Sequence, residues 1–150
     1  MSIEYQIDDR SEVVFVLMAG EISALEVMKF LTRVNAEQRD GRYDRLIMLR
    51  NTKCLLSGSE VAEIAEFAYK LHGSRARHCT AVVVSSACEF GIARQYQLYR
   101  DPPPDAFNIF KDLNEAVTWL ELDSGSVSTP MGSNIFGIKE PLYHGNVAAG

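Results

Sequence analysis

The three cysteines of this 150-residue chain, Cys54, Cys79 and Cys88, are the first residues to consider for chemistry. A metal site needs several ligands at short spacings, and a common redox motif needs a C-x-x-C pair. The cysteines form no such pair, so we expect each of them to pack as a small hydrophobic side chain. The sequence therefore predicts no metal site and no cofactor.

Acid–base and nucleophilic catalysis have no stronger support. We expect the histidines to be surface residues, since they stand at a predicted helix end, a strand start and the C-terminal segment: His72, His78 and His144. Three glutamates have the spacing of the solvated face of an amphipathic helix: Glu60, Glu63 and Glu66. The glycine patterns of serine hydrolases, dinucleotide-binding folds and P-loops do not occur in the sequence. We therefore predict no catalytic residues and a protein that is not an enzyme.

Ser57 is a candidate phospho-acceptor or partner-binding residue, together with its neighbours Gly58 and Ser59. It also begins the capping-box pattern Ser57-x-x-Glu60, in which the serine hydroxyl and the glutamate carboxylate each accept the other residue's backbone N–H. The structural alternative is therefore a helix cap. The same pattern follows other apolar runs, with aspartate as the cap in the last instance: Ser23, Ser86 and Asp112.

A second candidate site is the helix predicted over residues 87–99. Tyrosine and arginine are enriched at interface hot spots, so four residues of this region are a possible interaction surface: Arg94, Tyr96, Tyr99 and Arg100. The alternative is that the aromatic residues pack in the core. Gly91 costs a helix about 1 kcal/mol relative to alanine, and we expect close packing against a neighbouring element to offset that cost.

The four capping patterns mark the points where predicted strands lead into helices. Alternating apolar residues over 2–8, a short polar turn and an apolar run over 13–19 predict an N-terminal antiparallel hairpin. The first helix should end near Asp40 and Gly41. Further strands are predicted at three apolar runs: residues 46–49, 79–84 and 107–110. The order β-β-α-β-α-β-α-β-α predicts a single-domain α/β fold with a mixed, mostly parallel sheet of about five strands and four helices.

Composition argues against several classes of function. With 47% hydrophobic and 23% charged residues, the chain is typical of soluble globular proteins. A net charge of −5 argues against general nucleic-acid binding, and no apolar run approaches the ~20 residues of a membrane span. No signal peptide is recognisable, so we expect a cytoplasmic protein. The domain is expected over residues 1–122, and residues 123–150 are expected to form a linker and a tail that either stays disordered or packs on this domain or on a second subunit.

Residues 2–122 resemble the SpoIIAA-like branch of the STAS-type domains, which are found in bacterial STAS/SEC14 domain-containing proteins. The resemblance rests on four stretches: Ile3-Glu-Tyr-x-Ile, Leu49-Arg50, Phe90-Gly-Ile-Ala-Arg-x-Tyr-Gln and Phe110-Lys-Asp-Leu-Asn-Glu-Ala-Val-Thr-Trp-Leu. In the anti-sigma-factor antagonists of this fold, a serine at the start of the second helix is phosphorylated by the partner kinase, and Ser57 falls at that place. Here Leu56 replaces the usual aspartate and Gly58 follows Ser57 directly, which argues against phosphoregulation.

The resemblance implies a non-catalytic, regulatory module that binds other proteins, as a monomer or a homodimer. Some related domains are thought to hold small or lipid-like ligands. The alternative function is therefore a carrier of a small apolar molecule, with a pocket under the second and third helices.

Overall fold

A five-stranded sheet and four helices make up the residues that the computed structural model describes, which are 3–37, 42–72, 78–100 and 107–122. The strands are β1 (Ile3–Asp8), β2 (Val13–Glu21), β3 (Asp44–Lys53), β4 (Thr80–Val83) and β5 (Phe107–Phe110). The helices are α1 (Ala24–Glu37), α2 (Gly58–His72), α3 (Ala87–Tyr99) and α4 (Leu113–Trp119). The predicted α/β class and the predicted order of elements are confirmed.

The strands lie across the sheet in the order of the sequence, β1-β2-β3-β4-β5. β1 and β2 form an antiparallel hairpin, because the turn between them is too short for a crossover, whereas the other three pairs are parallel and joined through helices. The register places Val14, Arg45, Thr80 and Phe107 side by side in one row. Since paired residues of neighbouring strands point to the same side of a sheet, these four side chains share one face.

Both faces of the sheet are covered, which explains the continuous apolar sequence of β2. Val14 and Val16 point toward α1 and α2, and Val82 of β4 packs with residues of α3 on the same face. Val13 and Phe15 point to the opposite face, where α4 packs. All four of these β2 side chains are fully buried.

Two of the four predicted capping boxes are complete. At the start of α1, Glu26 N donates to Ser23 Oγ and Ser23 N donates to Glu26 Oε1, both at 3.1 Å. At the start of α2, Glu60 N donates to Ser57 Oγ at 3.1 Å and Ser57 N donates to Glu60 Oε1 at 2.8 Å. The hydroxyl of Ser57 is therefore a helix cap.

The other two caps differ from the prediction. Ser86 Oγ accepts a hydrogen bond from Glu89 N at 3.1 Å, but the Glu89 carboxylate binds other partners. Asp112 Oδ1 accepts from the N–H of Asn114 at 3.1 Å, one residue earlier in the helix than the capping box predicts. The caps thus mark the helix starts correctly, although only half of them are reciprocal.

Strand β3 is longer than predicted, because it begins at Asp44 rather than at residue 46 and ends at Lys53 rather than at residue 49. Its first two residues are charged and stand before the apolar run. They nevertheless belong to the sheet, since Asp44 Oδ1 accepts a hydrogen bond from Cys79 N at 2.8 Å and Arg45 pairs with Thr80.

Strand β2 also continues beyond its predicted end, to Glu21, through an irregularity after Ala19. Gly20 has φ of +75° there, a conformation that glycine adopts without strain. The predicted end of α1 near Asp40 and Gly41, the prolines at 102–104, and the predicted linker and tail over 123–150 lie outside the described residues.

Candidate functional site

A cavity of about 140 Å³ lies between the sheet and the helices α1, α2 and α3. Side chains from four strands line it on the sheet side, including Met18 of β2, Ile47 of β3, Val82 of β4 and Phe107 of β5. An apolar cavity of about 150 Å³ in another protein is large enough to bind benzene. The space is therefore sufficient for a molecule of roughly that size.

Small side chains on two helices leave this space open. Ala65 and Ala68 lie about one turn apart on α2, and Ala93 lies on α3. All three are buried and line the cavity. Larger residues at these positions would fill the volume, so the cavity follows from the choice of alanine on the buried helix faces.

One end of the cavity is polar. Arg45 and Thr80, which are neighbours across β3 and β4, line the cavity and are both 5% exposed. His78, which is also buried, and Tyr96 and Arg100 of the α3 end line it as well. Polar residues thus belong to the lining at the starts of β3 and β4 and at the end of α3, although the surface of the cavity is mainly apolar.

Phe107 holds the residues of α3 at this end. The ring centroids of Phe107 and Tyr96 lie 5.5 Å apart. The guanidinium carbon of Arg100 lies 5.5 Å from the centroid of the Phe107 ring. Gln97 Nε2 donates to the backbone carbonyl of Phe107 at 2.9 Å. A guanidinium over an aromatic ring is attracted by the ring's quadrupole, so these contacts fix Arg100 beside the cavity.

The charges at the polar end influence one another. The pKa of Arg45 is lowered to about 10, mainly by burial; Tyr96 opposes this shift, and the charge of Arg100 contributes to it. Burial also raises the pKa of Tyr96 above its usual value, while Arg100 and Arg45 oppose that shift. Arg45 therefore remains a cation at neutral pH and Tyr96 remains a neutral phenol, which can donate a hydrogen bond.

The cavity reaches the surface of the molecule beside Tyr69, whose side chain lines it and is 45% exposed. The half-buried side chains of Leu56 and Arg100 also belong to the lining.

Glu89 is the most deeply buried carboxylate described, at 1% exposed. It accepts hydrogen bonds from the backbone N–H and hydroxyl of Ser85, at 2.7 and 2.8 Å, and from both groups of Thr52, at 2.8 Å each. Burial alone would raise the pKa of Glu89, but the hydrogen bonds from Ser85 and Thr52 outweigh it and lower the pKa. This carboxylate therefore joins the end of β3 to the start of α3 as an anion.

The prediction that all three cysteines are unpaired packing residues is wrong for two of them. Cys54, which follows β3, and Cys88, in the first turn of α3, form a disulfide with their Cα atoms 6.2 Å apart. Cys79 is not part of a disulfide; it is half-buried and packs against the α4 core. The pairing was not visible in the sequence because the partners are 34 residues apart and meet only when β3 and α3 are adjacent.

The predicted Ser57, Gly58 and Ser59 lie together at the start of α2. Ser57 and Ser59 are exposed, and their hydroxyl oxygens lie 3.1 Å apart. A Cβ added to Gly58 would meet Gln95 Nε2 of α3 at 3.8 Å, which is an ordinary contact. The geometry shows a cap and a small exposed hydroxyl pair, and a role in phosphorylation or partner binding stays a prediction.

The four residues of the predicted interaction surface point in two directions. Arg94 and Tyr99 are exposed, and Arg94 Nη1 donates to Gln97 Oε1 at 2.7 Å. Tyr96 and Arg100 are half-buried and line the cavity. The structure therefore brings two of the four residues to the cavity and leaves two on the surface.

Two further predictions for this part of the chain are wrong. Gly91 does not pack closely against another element, since a Cβ at that position would meet no other heavy atom within 4 Å. His78 is not a surface residue, because it lies two residues before β4 begins and is buried beside the cavity. Its position before an apolar strand was visible in the sequence, but the helices that cover that end of the strand were not.

Within the described ranges, no three His, Cys, Asp or Glu side chains are placed to hold a metal ion. None of the helices in that part of the chain combines the length and the apolar character of a bilayer span.

No protein-family model matches the chain, and no curated protein or solved structure is significantly similar to it. The cavity and the surfaces of the chain therefore carry the functional inference.

Proposed function

We propose that this chain binds a small, mainly apolar molecule in the cavity between the sheet and helices α1, α2 and α3. The cavity of about 140 Å³ is the observation that carries the proposal. Protein interiors are close-packed, so the side chains around a space of this size lack some of the contacts that neighbours would give them. A bound molecule would recover the lost contacts, so binding would also stabilise the fold.

The position of the cavity supports the carrier hypothesis drawn from the sequence, which placed a pocket under the second and third helices. The lining of α2 and α3 includes Ala65 and Ala93 on the helix faces that point to the sheet. Because Tyr69 lines the cavity and is partly exposed, we expect the ligand to enter from solvent beside it.

We also propose that the chain is a SpoIIAA-like, STAS-type domain. Its N-terminal hairpin, its three parallel strand pairs and its alternating helices support that assignment. The four stretches that carry the resemblance lie on β1, on β3, on α3 and across β5 and α4. A ligand-binding role is compatible with this architecture.

A second candidate function is the predicted regulatory protein-interaction module, and the surface of α3 favours it. Phe90, Arg94 and Leu98 follow one another at intervals of four residues, so they share one face of the helix. Leu98 is 67% exposed, and Phe90 is also exposed. Affinity capture with the wild type and with Leu98→Asp as bait tests this function, because a partner of this face is lost from the variant and a partner of another surface is retained.

The cavity hypothesis is tested by the binding of toluene, a neutral molecule only slightly larger than benzene. We expect toluene to shift the NMR signals of methyl groups around the cavity and to raise the unfolding temperature, because it binds the folded state. Ala65→Leu should fill part of the volume and weaken toluene binding by tenfold or more.

The matched control is Ala62→Leu, the same change on the same helix at a half-buried position outside the cavity lining. It should bind toluene as the wild type does. If the wild type does not bind toluene, or if both variants bind it equally well, the cavity is not the binding site and the proposal is wrong.

A further inference from the structure

We infer that the Cys54–Cys88 disulfide is a redox switch for the cavity: small thiols open it in the folded chain, and the opening weakens ligand binding through Leu56. This inference rests on the proposed function and adds its regulation. Neither cysteine is among the described residues that line the cavity, so the disulfide acts on ligand binding through the elements that it connects.

The disulfide joins two parts of the cavity wall. Cys54 follows directly after β3, in the connection that leads to α2, and Cys88 is the second residue of α3. Helices α2 and α3 both contribute side chains to the lining. The bond therefore ties the chain that enters α2 to the beginning of α3.

The disulfide is open to attack from solvent at Cys88. This residue is exposed and ends a run of four exposed residues, 85–88, whereas Cys54 is half-buried. Thiol–disulfide exchange requires a thiolate to reach one of the two sulfur atoms, and exposed disulfides are typically the labile or regulatory ones. We therefore assign the attack to Cys88 Sγ.

The exchange needs a monothiol such as glutathione as the reductant. A glutathione thiolate attacks Cys88 Sγ, forms a mixed disulfide with it and displaces Cys54 Sγ as a thiolate, which takes a proton from solvent. A second glutathione thiolate attacks the glutathione sulfur of the mixed disulfide, forms oxidised glutathione and releases Cys88 Sγ, which is protonated in turn. The chain gains two electrons and two glutathione molecules lose them. Oxidised glutathione closes the bond by the reverse steps.

The contact between β3 and α3 does not depend on the disulfide alone. Glu89 is the neighbour of Cys88, and it accepts hydrogen bonds from the backbone N–H and the hydroxyl of Thr52, which stands two residues before Cys54. Both distances are 2.8 Å. These hydrogen bonds do not involve sulfur, so they hold the end of β3 against α3 when the disulfide opens. The released part of the chain therefore begins after β3.

The segment that the opening releases is residues 54–56. It is an irregular connection between β3 and the helix cap, in which Leu55 N donates to Lys53 O at 2.8 Å. Leu56 is half-buried, packs against the core on the α1 and α2 side of the sheet, and lines the cavity. Without its tether at Cys54 the segment gains conformational freedom, which a ligand that contacts Leu56 must remove again. Ligand affinity is therefore higher in the disulfide form.

Titration with glutathione tests whether the bond opens in the folded chain. Cys79→Ser leaves Cys54 and Cys88 as the only cysteines. This variant is equilibrated in buffers from mainly oxidised to mainly reduced glutathione and then alkylated, and mass spectrometry locates the alkylated residues. We expect both cysteines to become alkylated while the far-ultraviolet circular dichroism stays that of the folded chain. A bond that stays closed in reduced glutathione, or that opens only as the folded spectrum is lost, would overturn the inference.

The toluene affinities of the closed and open forms test the effect on the cavity. The open form is the double variant Cys54→Ser/Cys88→Ser, and the wild type in dithiothreitol gives the same comparison if that variant does not fold. We expect toluene to bind the open form about tenfold more weakly, because the ligand must then order the released segment.

Leu56→Ala and Leu55→Ala form a matched pair that locates the coupling. Leu56→Ala should weaken toluene binding to the closed form and reduce the ratio between the two forms to less than about threefold, because both changes act through the same side chain. Leu55 is the neighbouring residue and is 63% exposed, so Leu55→Ala should leave the ratio near its wild-type value. An equal ratio in both variants would show that the disulfide does not act through Leu56.

Failure of the switch and failure of the proposed function are distinguishable. Equal toluene affinities of the closed and open forms would overturn the inference and leave the cavity as the binding site. If toluene binds neither form, the proposed function is wrong and with it the control of binding. NMR signals of the Leu56 methyl groups that change on reduction would then still show that the bond controls the segment, and unchanged signals would overturn that step too.

Discussion

Glu89 of α3 accepts two hydrogen bonds from Thr52, one from its backbone N–H and one from its hydroxyl, each with a donor–acceptor distance of 2.8 Å. The two residues are 37 positions apart in the sequence. Its other carboxylate oxygen accepts the corresponding two groups of Ser85. Each oxygen thus serves one backbone donor and one hydroxyl. Two parts of the cavity wall, β3 and α3, are connected through this single buried side chain.

Glu89→Gln should lower the free energy of unfolding by about 2 kcal/mol. Glutamine has one carbonyl oxygen in place of two carboxylate oxygens, so the backbone N–H of Ser85 or of Thr52 would face an NH₂ group, and a buried donor without an acceptor costs about 1–3 kcal/mol. Urea denaturation measures the change. Glu63→Gln, the same substitution at an exposed position of α2, should change stability by less than about 0.5 kcal/mol, and equal effects at the two positions would contradict the role of Glu89.

The stabilisation from Glu89 should depend on pH. Its pKa in the folded state lies below the ordinary value of 4.5, so the unfolded chain binds the proton more tightly than the folded chain does. The contribution is therefore complete above pH 4.5 and is lost as the pH falls through the folded pKa. We expect the stability difference between the wild type and Glu89→Gln to shrink in urea titrations below pH 4.5. A difference that stays constant down to pH 3 would show that the charge of Glu89 is not responsible.

Gly91→Ala should stabilise the chain by up to about 1 kcal/mol. Gly91 lies inside α3, and an added Cβ meets no other heavy atom within 4 Å, so the substitution gains helix propensity without a clash. Gly20→Ala is the informative counterpart, because φ of +75° at Gly20 strains any residue with a Cβ. The unfolding temperature should rise for Gly91→Ala and fall for Gly20→Ala. A lower unfolding temperature for Gly91→Ala would reveal a close contact that the structure does not show.

Reduction of the Cys54–Cys88 disulfide should lower the free energy of unfolding by about 3 kcal/mol. The bond joins two residues that are 34 positions apart in the sequence. Cross-links of this kind lower the entropy of the unfolded chain and stabilise the folded state by about 2–4 kcal/mol. Urea denaturation with and without dithiothreitol measures the effect. Cys79→Ser should retain the response to reductant, whereas the double variant Cys54→Ser/Cys88→Ser should lose it. A wild type that is insensitive to dithiothreitol would contradict the pairing.

The order of elements could be predicted because it depends on local patterns. The apolar run of β2 and the caps at Ser23 and Ser57 depend only on residues a few positions away in the sequence. The structure has the strand and both caps where the sequence predicts them. The ends of β3 were missed for the opposite reason. Arg45 is charged and precedes the apolar run, but its place in the sheet is set by pairing with Thr80, which lies far away in the sequence.

The polar end of the cavity could not be predicted from the sequence for a similar reason. The residues that form it come from β3, from the start of β4 and from the end of α3, and no local spacing connects them. Tyr96 and Arg100 were predicted from residue type alone to be part of an interaction surface, and nothing in the sequence placed them beside a cavity. Their direction depends on Phe107, a residue of the last strand.

The row formed by Val14, Arg45, Thr80 and Phe107 has a consequence for the fidelity of folding. A slip of β3 by one residue would turn its side chains to the opposite faces of the sheet. The guanidinium of Arg45 would then enter the α4 core in place of Leu46, whose side chain is fully buried there. Because a charge in that apolar core is strongly unfavourable, a single arginine at the start of β3 penalises the shifted pairing and helps the chain to distinguish its native sheet from the nearest incorrect one.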